Sequence, residues 1–418
     1  MPSLEPHTLS TTHLTLSLLP YGLTFSSLLV KLRESSSTAS EEREVLIGPR
    51  DLNDHVRSRG FLNQTVGRYA NRLPSGRVEV GGYEGLVLDL EKTEGKDVCL
   101  HGGRTGIDTV DWDLVASPSN SKLFTEKELS SSSTIYRHLS PHGADGFPGD
   151  LLIEAFIALS EPNEGEEGVA GRLEVVLRAN IVEGEEGMKV DATPLNLTIH
   201  WGFGGFDGRE EKDVKEYNLW IAVSLSSLAF GELVQGDRTP ELYPNMLPTG
   251  KIFQLSKEDP LNFSTSRKIG ANFPGNGIDH NLLFTLPFPA TPQVTLTCPD
   301  GRLGLEFRTN QSSVQCYTAA GFNGVSPVKK ELHDRKGEGR GYDRFGEWSC
   351  FSLELQDEAS NLLSVRFRFH TLGATFLEFH QPIATFLHRE LKEIVGGDTV
   401  LRRGEVYKNW CEVTIRTK

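Results

Sequence analysis

Two short motifs bound the stretch on which the reading of this chain turns: Val66-Gly67-Arg68-Tyr69-Ala70-Asn71-Arg72 and Val98-Cys99-Leu100-His101-Gly102-Gly103. Between them, Gly76 to Val80 alternates as a strand does. Gly81-Gly82 supplies turn chemistry, and Tyr83 to Leu90 resumes the strand. A hairpin thus presents an Asn-Arg pair and a His-Gly-Gly turn on neighbouring elements. Asn and Arg offer hydrogen-bond donors in fixed planes, and His exchanges a proton near neutral pH. Such groups beside a glycine-lined turn suit a polyhydroxyl ligand. Taken alone, they would equally describe an ion-paired arginine and a loop histidine.

Working outward, short alternating runs recur through the 418 residues, as in Leu14 to Leu18, Leu173 to Leu177, Val294 to Thr297 and Glu412 to Ile415. Long apolar stripes of helical period are scarce. The expected class is all-β, a large half-buried antiparallel sandwich with few short helices. Acidic residues outnumber basic ones by 57 to 43, for a net charge of −14, which argues against nucleic acid and anionic membrane as partners. No run of 18 apolar residues occurs, and the N-terminus lacks the pattern of a signal peptide. Five scattered cysteines (Cys99, Cys298, Cys316, Cys350, Cys411) show no metal-clip spacing and read as reduced thiols of a cytoplasmic protein. Neither a metal nor another cofactor is signalled.

Further motifs follow in order. Ser140-Pro141-His142-Gly143-Ala144-Asp145-Gly146-Phe147-Pro148-Gly149 is dense in residues with special backbone angles. Thr193-Pro194-Leu195-Asn196-Leu197-Thr198-Ile199-His200 leads into Trp201-Gly202-Phe203-Gly204-Gly205-Phe206. Pro248-Thr249-Gly250 reads as a turn at a cleft rim. Then come Asp279-His280-Asn281, Val314-Gln315-Cys316-Tyr317-Thr318 and Arg402-Arg403-Gly404-Glu405-Val406-Tyr407. In this order and at these separations, the motifs resemble those of the aldose 1-epimerase (galactose mutarotase) family over roughly residues 10 to 415.

The resemblance implies a single domain over residues 1–418, with the galactose mutarotase-like supersandwich fold, that interconverts the anomers of a free aldose such as glucose or galactose. It implies that His200 protonates the ring oxygen while a glutamate takes the proton from the C1 hydroxyl. His101 would assist at the ring oxygen, and Asn71, Arg72, Asp279 and Gln315 would hold hydroxyls. Two glutamates compete for the role of base. Glu354 lies in family-like local text but 48 residues before Arg402, whereas Glu378 lies 24 before it, the expected gap. Residues 347–373 could therefore be an unspliced intron, because Gly346-Glu347-Trp348 can encode a GTGAGT donor and Leu372-Gly373 a TAG acceptor. Glu378 is the preferred base. Trp201, Phe203 and Phe206 are candidate sugar platforms, although the glycine-rich wall after His200 departs from the family's Ser-Tyr-Phe-Asn-Leu. The alternatives are a non-catalytic carbohydrate-binding or regulatory protein, or a hexose-6-phosphate epimerase, for which Arg72 and Arg104 alone are thin. The expected partner is a small sugar, with the protein a monomer or homodimer.

Overall fold

The computed structural model describes residues 1–32, 41–129, 132–183, 190–204, 214–221, 238–284, 292–319 and 374–418, together with the backbone of the short strand pair Glu354–Leu355 and Val365–Arg366. Strands dominate. Only two α-helices occur among these residues, Asp54–Arg57 and Arg389–Val395, and neither could cross a membrane.

Three antiparallel sheets carry the architecture. A four-stranded meander, His7–Ser10, Leu14–Leu19, Thr24–Leu32 and Glu41–Glu44, opens the chain. A nine-stranded sheet has the long strands Asp150–Ser160, Val169–Val182 and Tyr407–Thr417 at its centre. A six-stranded sheet runs in the order Trp201–Phe203, Thr375–His380, Ser313–Tyr317, Asp279–Leu283, Arg238–Leu242, Pro248–Gln254. One apolar cluster joins the inner faces: Leu16 and Phe25 of the first sheet, Ile153 and Val175 of the second, Val314, Leu377 and Phe379 of the third. This is the sandwich expected from the alternation, since each sheet gains hydrophobic stabilisation by burying one face.

Side chains alternate across a strand, so the pairing register decides what faces the core and what faces away. In Phe376-Leu377-Glu378-Phe379-His380, Leu377 and Phe379 join the core cluster, leaving Phe376, Glu378 and His380 on the other face. Glu378 pairs with Gln315, and Gln315 with Asn281; one row away lie Phe376, Tyr317 and Asp279. A polar row from three strands, far apart in sequence, is thereby laid on one face. The same parity corrects the platform expectation. Trp201 pairs with Leu377 and faces the core with it, and Trp201 and Phe203 are both about 1% exposed. Phe206 lies outside the described residues.

The opening motifs are tied together by one guanidinium. Arg68 donates to Ser140 Oγ and to the carbonyls of Ser140, Pro141, Pro148 and Gly149 at 2.6–3.1 Å, so the turn-rich Ser140–Gly149 segment closes around it. The hairpin forms as read, Gly76–Glu79 with Val87–Leu90, but its loop is longer than Gly81-Gly82: the Val80 N–H donates to the Leu86 carbonyl. Pro248-Thr249-Gly250 begins a strand rather than a turn, the turn falling at Tyr243 to Leu247.

Candidate active site

Strand Arg72–Pro74 pairs with Val98–Leu100, Arg72 opposite Leu100, which brings Asn71 beside His101. Both have left-handed backbones (φ +65° and +49°) and lock reciprocally: the Asn71 N–H donates to His101 Nδ1 at 3.1 Å, and the His101 N–H to the Asn71 carbonyl at 3.0 Å. Gly102, at φ +81°, is required by contact as well as angle, since a Cβ there would lie 2.0 Å from the Gly67 carbonyl oxygen. With Nδ1 accepting, His101 keeps its proton on Nε2.

His200 reaches the same place from the Thr193–His200 motif, whose polar residues bind the glutamate strand. Asn196 donates to the Gln381 carbonyl and accepts from its N–H, at 2.9 and 3.1 Å. Thr198 Oγ1 donates to the Phe379 carbonyl at 3.0 Å, and Asn409 bridges the carbonyls of Leu197 and Phe379. These bonds fix His200 against Glu378: His200 Nε2 lies 3.5 Å from Glu378 Oε1. The rings of His101 and His200 are 5.2 Å apart, nearly perpendicular.

The three groups line a cavity of about 370 Å³ together with Asn71, Arg72, Asp279, Arg59, Glu94 and the aromatic rings of Phe61, Tyr317 and Phe376. Its size falls in the range of small-molecule sites. A larger cavity, about 1020 Å³, adjoins it and shares Arg72, Glu94, Asp279 and Tyr317; His280 lines this outer space. Gln315 is 1% exposed and lies behind the wall, where its Nε2 donates to Asp279 Oδ1 at 2.6 Å. Arg72 is held by Glu94 at 2.6 Å and stands 3.4 Å from Asp279. Arg104 pairs with Glu91. The Glu354 side chain, and residues 347–373 apart from the two short backbone strands, lie outside the described residues.

Burial sets the electrostatics. It pushes the Glu378 carboxyl from the ordinary 4.5 up to about 8; Asp279 adds to the rise and Arg72 opposes it. Burial pushes His200 down to about 3, countered in part by the carbonyls of His200 itself and Phe61. His101 is held well below its usual value, first by burial and then by its neighbours His200 and Arg72. The His200–Glu378 pair thus carries one proton at neutral pH, with an acceptor and a donor 3.5 Å apart.

His101, His200 and Glu378 could also be considered as metal ligands, their candidate atoms lying within 4.8 Å of one another. The hydrogen bond into His101 Nδ1 argues otherwise: it leaves Nε2 protonated, so neither ring nitrogen offers a free lone pair.

Phe61, Arg59, Glu94, Tyr317 and Phe376 were not singled out as site residues from sequence. Tyr317 and Phe376 could have been found from register, as residues two places from Gln315 and Glu378 on the same face. Phe61, in an irregular lead-in, carries no sequence signal.

Antiparallel sheets packed as a sandwich, with two imidazoles and one carboxyl converging on a small cavity, form a site equipped for acid–base chemistry. A homologue of GalM/aldose epimerase from C. elegans has the same fold, with a TM-score of 0.70 at 16% identity over 99% of each chain. Galactose 1-epimerase from Lactobacillus acidophilus gives 0.65 at 18% identity, over 98% of this chain and 93% of that one. The family model described as aldose 1-epimerase matches residues 8–204 and 231–348, and the chain belongs to that family of isomerases. Among its relatives, a probable aldose 1-epimerase of Arthroderma benhamiae is 25% identical, over 84% of this chain and 78% of the relative. Mouse galactose mutarotase is 26% identical, over 77% and 80%.

Proposed function

We propose that the protein interconverts the α and β anomers of a free hexose such as glucose or galactose by acid–base ring opening. The observation that carries this reading is the approach of His200 Nε2 to Glu378 Oε1, 3.5 Å, inside a cavity that His101 also lines. Glu378 takes the proton of the C1 hydroxyl while His200 gives one to the ring oxygen. The ring opens to the aldehyde, C1 rotates, and reclosure reverses the roles. The single shared proton of the pair suffices: the productive arrangement, carboxylate with imidazolium, differs from the resting one, carboxyl with neutral imidazole, only in where that proton sits. His101, with a donor at Nε2, shares the charge developing on the ring oxygen. Asn71, Arg72 and Asp279 hold hydroxyls, and Gln315 acts through Asp279. Each positioned proton-transfer group contributes about 10²–10⁴-fold.

The charge balance of the cavity favours a neutral sugar over a hexose 6-phosphate. Arg59 is paired with Asp108, and Arg72 with Glu94 and Asp279. The free, buried thiols Cys99, Cys298, Cys316 and Cys411 favour a reducing compartment such as the cytoplasm. On this reading 347–373 is an insert, the unspliced intron suggested by its sequence, that ends just before the glutamate strand at Thr375.

Polarimetry on freshly dissolved α-glucose and α-galactose tests the proposal. Acceleration that is lost in His200→Ala and Glu378→Gln supports the enzyme. Sugar binding without acceleration would support the non-catalytic reading instead, and activity sensitive to Glu354→Gln but not to Glu378→Gln would overturn the choice of base.

A further inference from the structure

We propose that Phe61 is a positioning residue for the two imidazoles, clamped in place by the Arg59–Asp108 ion pair; the inference deepens the acid–base reading and rests on it. Phe61 has φ +54°, a backbone conformation rare for a bulky side chain and retained only where the surroundings impose it. Its ring lies 4.6 Å from that of His101 and 5.8 Å from that of His200, while Phe376 covers His200 at 4.7 Å. Two phenyls therefore neighbour the His200 ring, and Phe61 touches both imidazoles.

What imposes the strained backbone is visible one residue away from Gly60. Arg59 Nε and Nη2 donate to the two oxygens of the buried Asp108 at 2.6 and 2.7 Å. Its Nη1 donates to the carbonyls of Gly103 and Arg104, at 2.7 and 2.9 Å, in the turn that carries His101. Its guanidinium carbon sits 4.8 Å from the Phe61 ring centre. The same arginine thus ties the lead-in to the His101 turn and presses on the phenyl. On the other side the Asn63 N–H donates to the His200 carbonyl, anchoring the segment to the His200 strand.

Plain core packing does not account for this arrangement. Phe61 is only partly buried and lines the cavity, and an apolar filler has no need of a left-handed backbone. Removing the ring takes away the face that backs His101, which its bond from the Asn71 N–H still holds at Nδ1, and admits water to His200. The ionisable groups around the pair stay as they are: Glu378 and His380 from the glutamate strand, Arg72, Asp279, and Arg59. A changed imidazole titration would then report hydration and placement rather than a lost charge.

The test uses the full chain with Phe61→Ala, Phe61→Leu and Phe61→Tyr, each checked by thermal melting. Long-range ¹H–¹⁵N imidazole spectra are titrated with pH, and kcat and KM are measured by polarimetry. In Phe61→Ala the His200 titration should rise by about one unit. Its kcat should fall by about 10–100-fold with KM nearly unchanged, as misplacement of a catalytic group does. Phe61→Tyr should restore both; Phe61→Leu, which retains bulk without the flat face, should restore the melting temperature and leave part of the kcat loss, so it serves if the alanine variant does not fold. An increase in KM alone would make Phe61 a sugar platform and overturn the inference, as would unchanged imidazoles with unchanged kcat. If the wild-type chain shows no acceleration, the acid–base reading fails by itself, and the imidazole spectra still decide whether Phe61 positions the rings.

Discussion

Asn71 and His101 enter the cavity from left-handed backbone at a turn, whereas Asp279, Tyr317, Phe376 and Glu378 enter it from three adjacent strands in regular register. The turn side is held by its own main chain, through the reciprocal Asn71–His101 bonds and a glycine that nothing larger can replace. The strand side is held by pairing, reinforced by Asn196, Thr198 and Asn409 reaching across to the glutamate strand. A turn defines one angle tightly with few residues. A sheet defines spacing and face for many side chains at once, but only when distant segments pair in the right register.

This contrast can be broken from either side. The largest effect is expected on the strand side: Glu378→Gln, nearly isosteric, should lower kcat by about 10²–10⁴-fold while the protein still melts cooperatively, as polarimetry and calorimetry would register. On the turn side, Gly102→Ala should instead strike folding. The added Cβ meets the Gly67 carbonyl at a backbone angle that alanine disfavours, so a loss of about 3 kcal/mol or more is expected in urea unfolding. A Gly102→Ala protein of normal stability and reduced kcat would mean that the turn tunes chemistry rather than the fold.

Smaller effects are expected behind the cavity wall and in the response to pH. Gln315→Leu removes the bond to Asp279 without altering the cavity lining, and should raise KM by about tenfold, the worth of one lost hydrogen bond, with kcat little changed. The pH profile of kcat/KM should fall on the alkaline side near 8, where the pair gives up its one proton, rather than rise through 4–5 as for an ordinary carboxylate base. Stability should show the matching sign. The folded Glu378 holds its proton up to about 8 while the unfolded chain ionises from about 4.5, so this group destabilises the fold progressively as pH rises between those values. Glu378→Gln should therefore gain stability over the wild type from pH 5 to pH 8 in paired urea melts, and a constant difference would contradict the buried carboxyl.

Much of the turn side was legible. Glycines and asparagine at fixed spacing announce left-handed angles, and Asn71, His101 and Gly102 stand where the motif put them. Arg68 shows the limit of such reading: it lies in the same motif as Arg72, yet it binds five groups of the Ser140–Gly149 segment and never reaches the cavity lining. On the strand side the motif residues were legible as a set, but their faces were not. Trp201 follows His200 directly and for that reason points into the core, which no composition argument reveals.

By itself the sequence determined the all-β class, the hairpin and the candidate groups, because alternation and turn chemistry act over a few residues. Tertiary structure alone decided that Glu378 lies 3.5 Å from His200, that Gln315 stands behind Asp279, and that Phe61 touches both imidazoles. Those outcomes depend on pairing between segments up to about two hundred residues apart, and register across such distances is set by the burial of whole faces rather than by any local pattern.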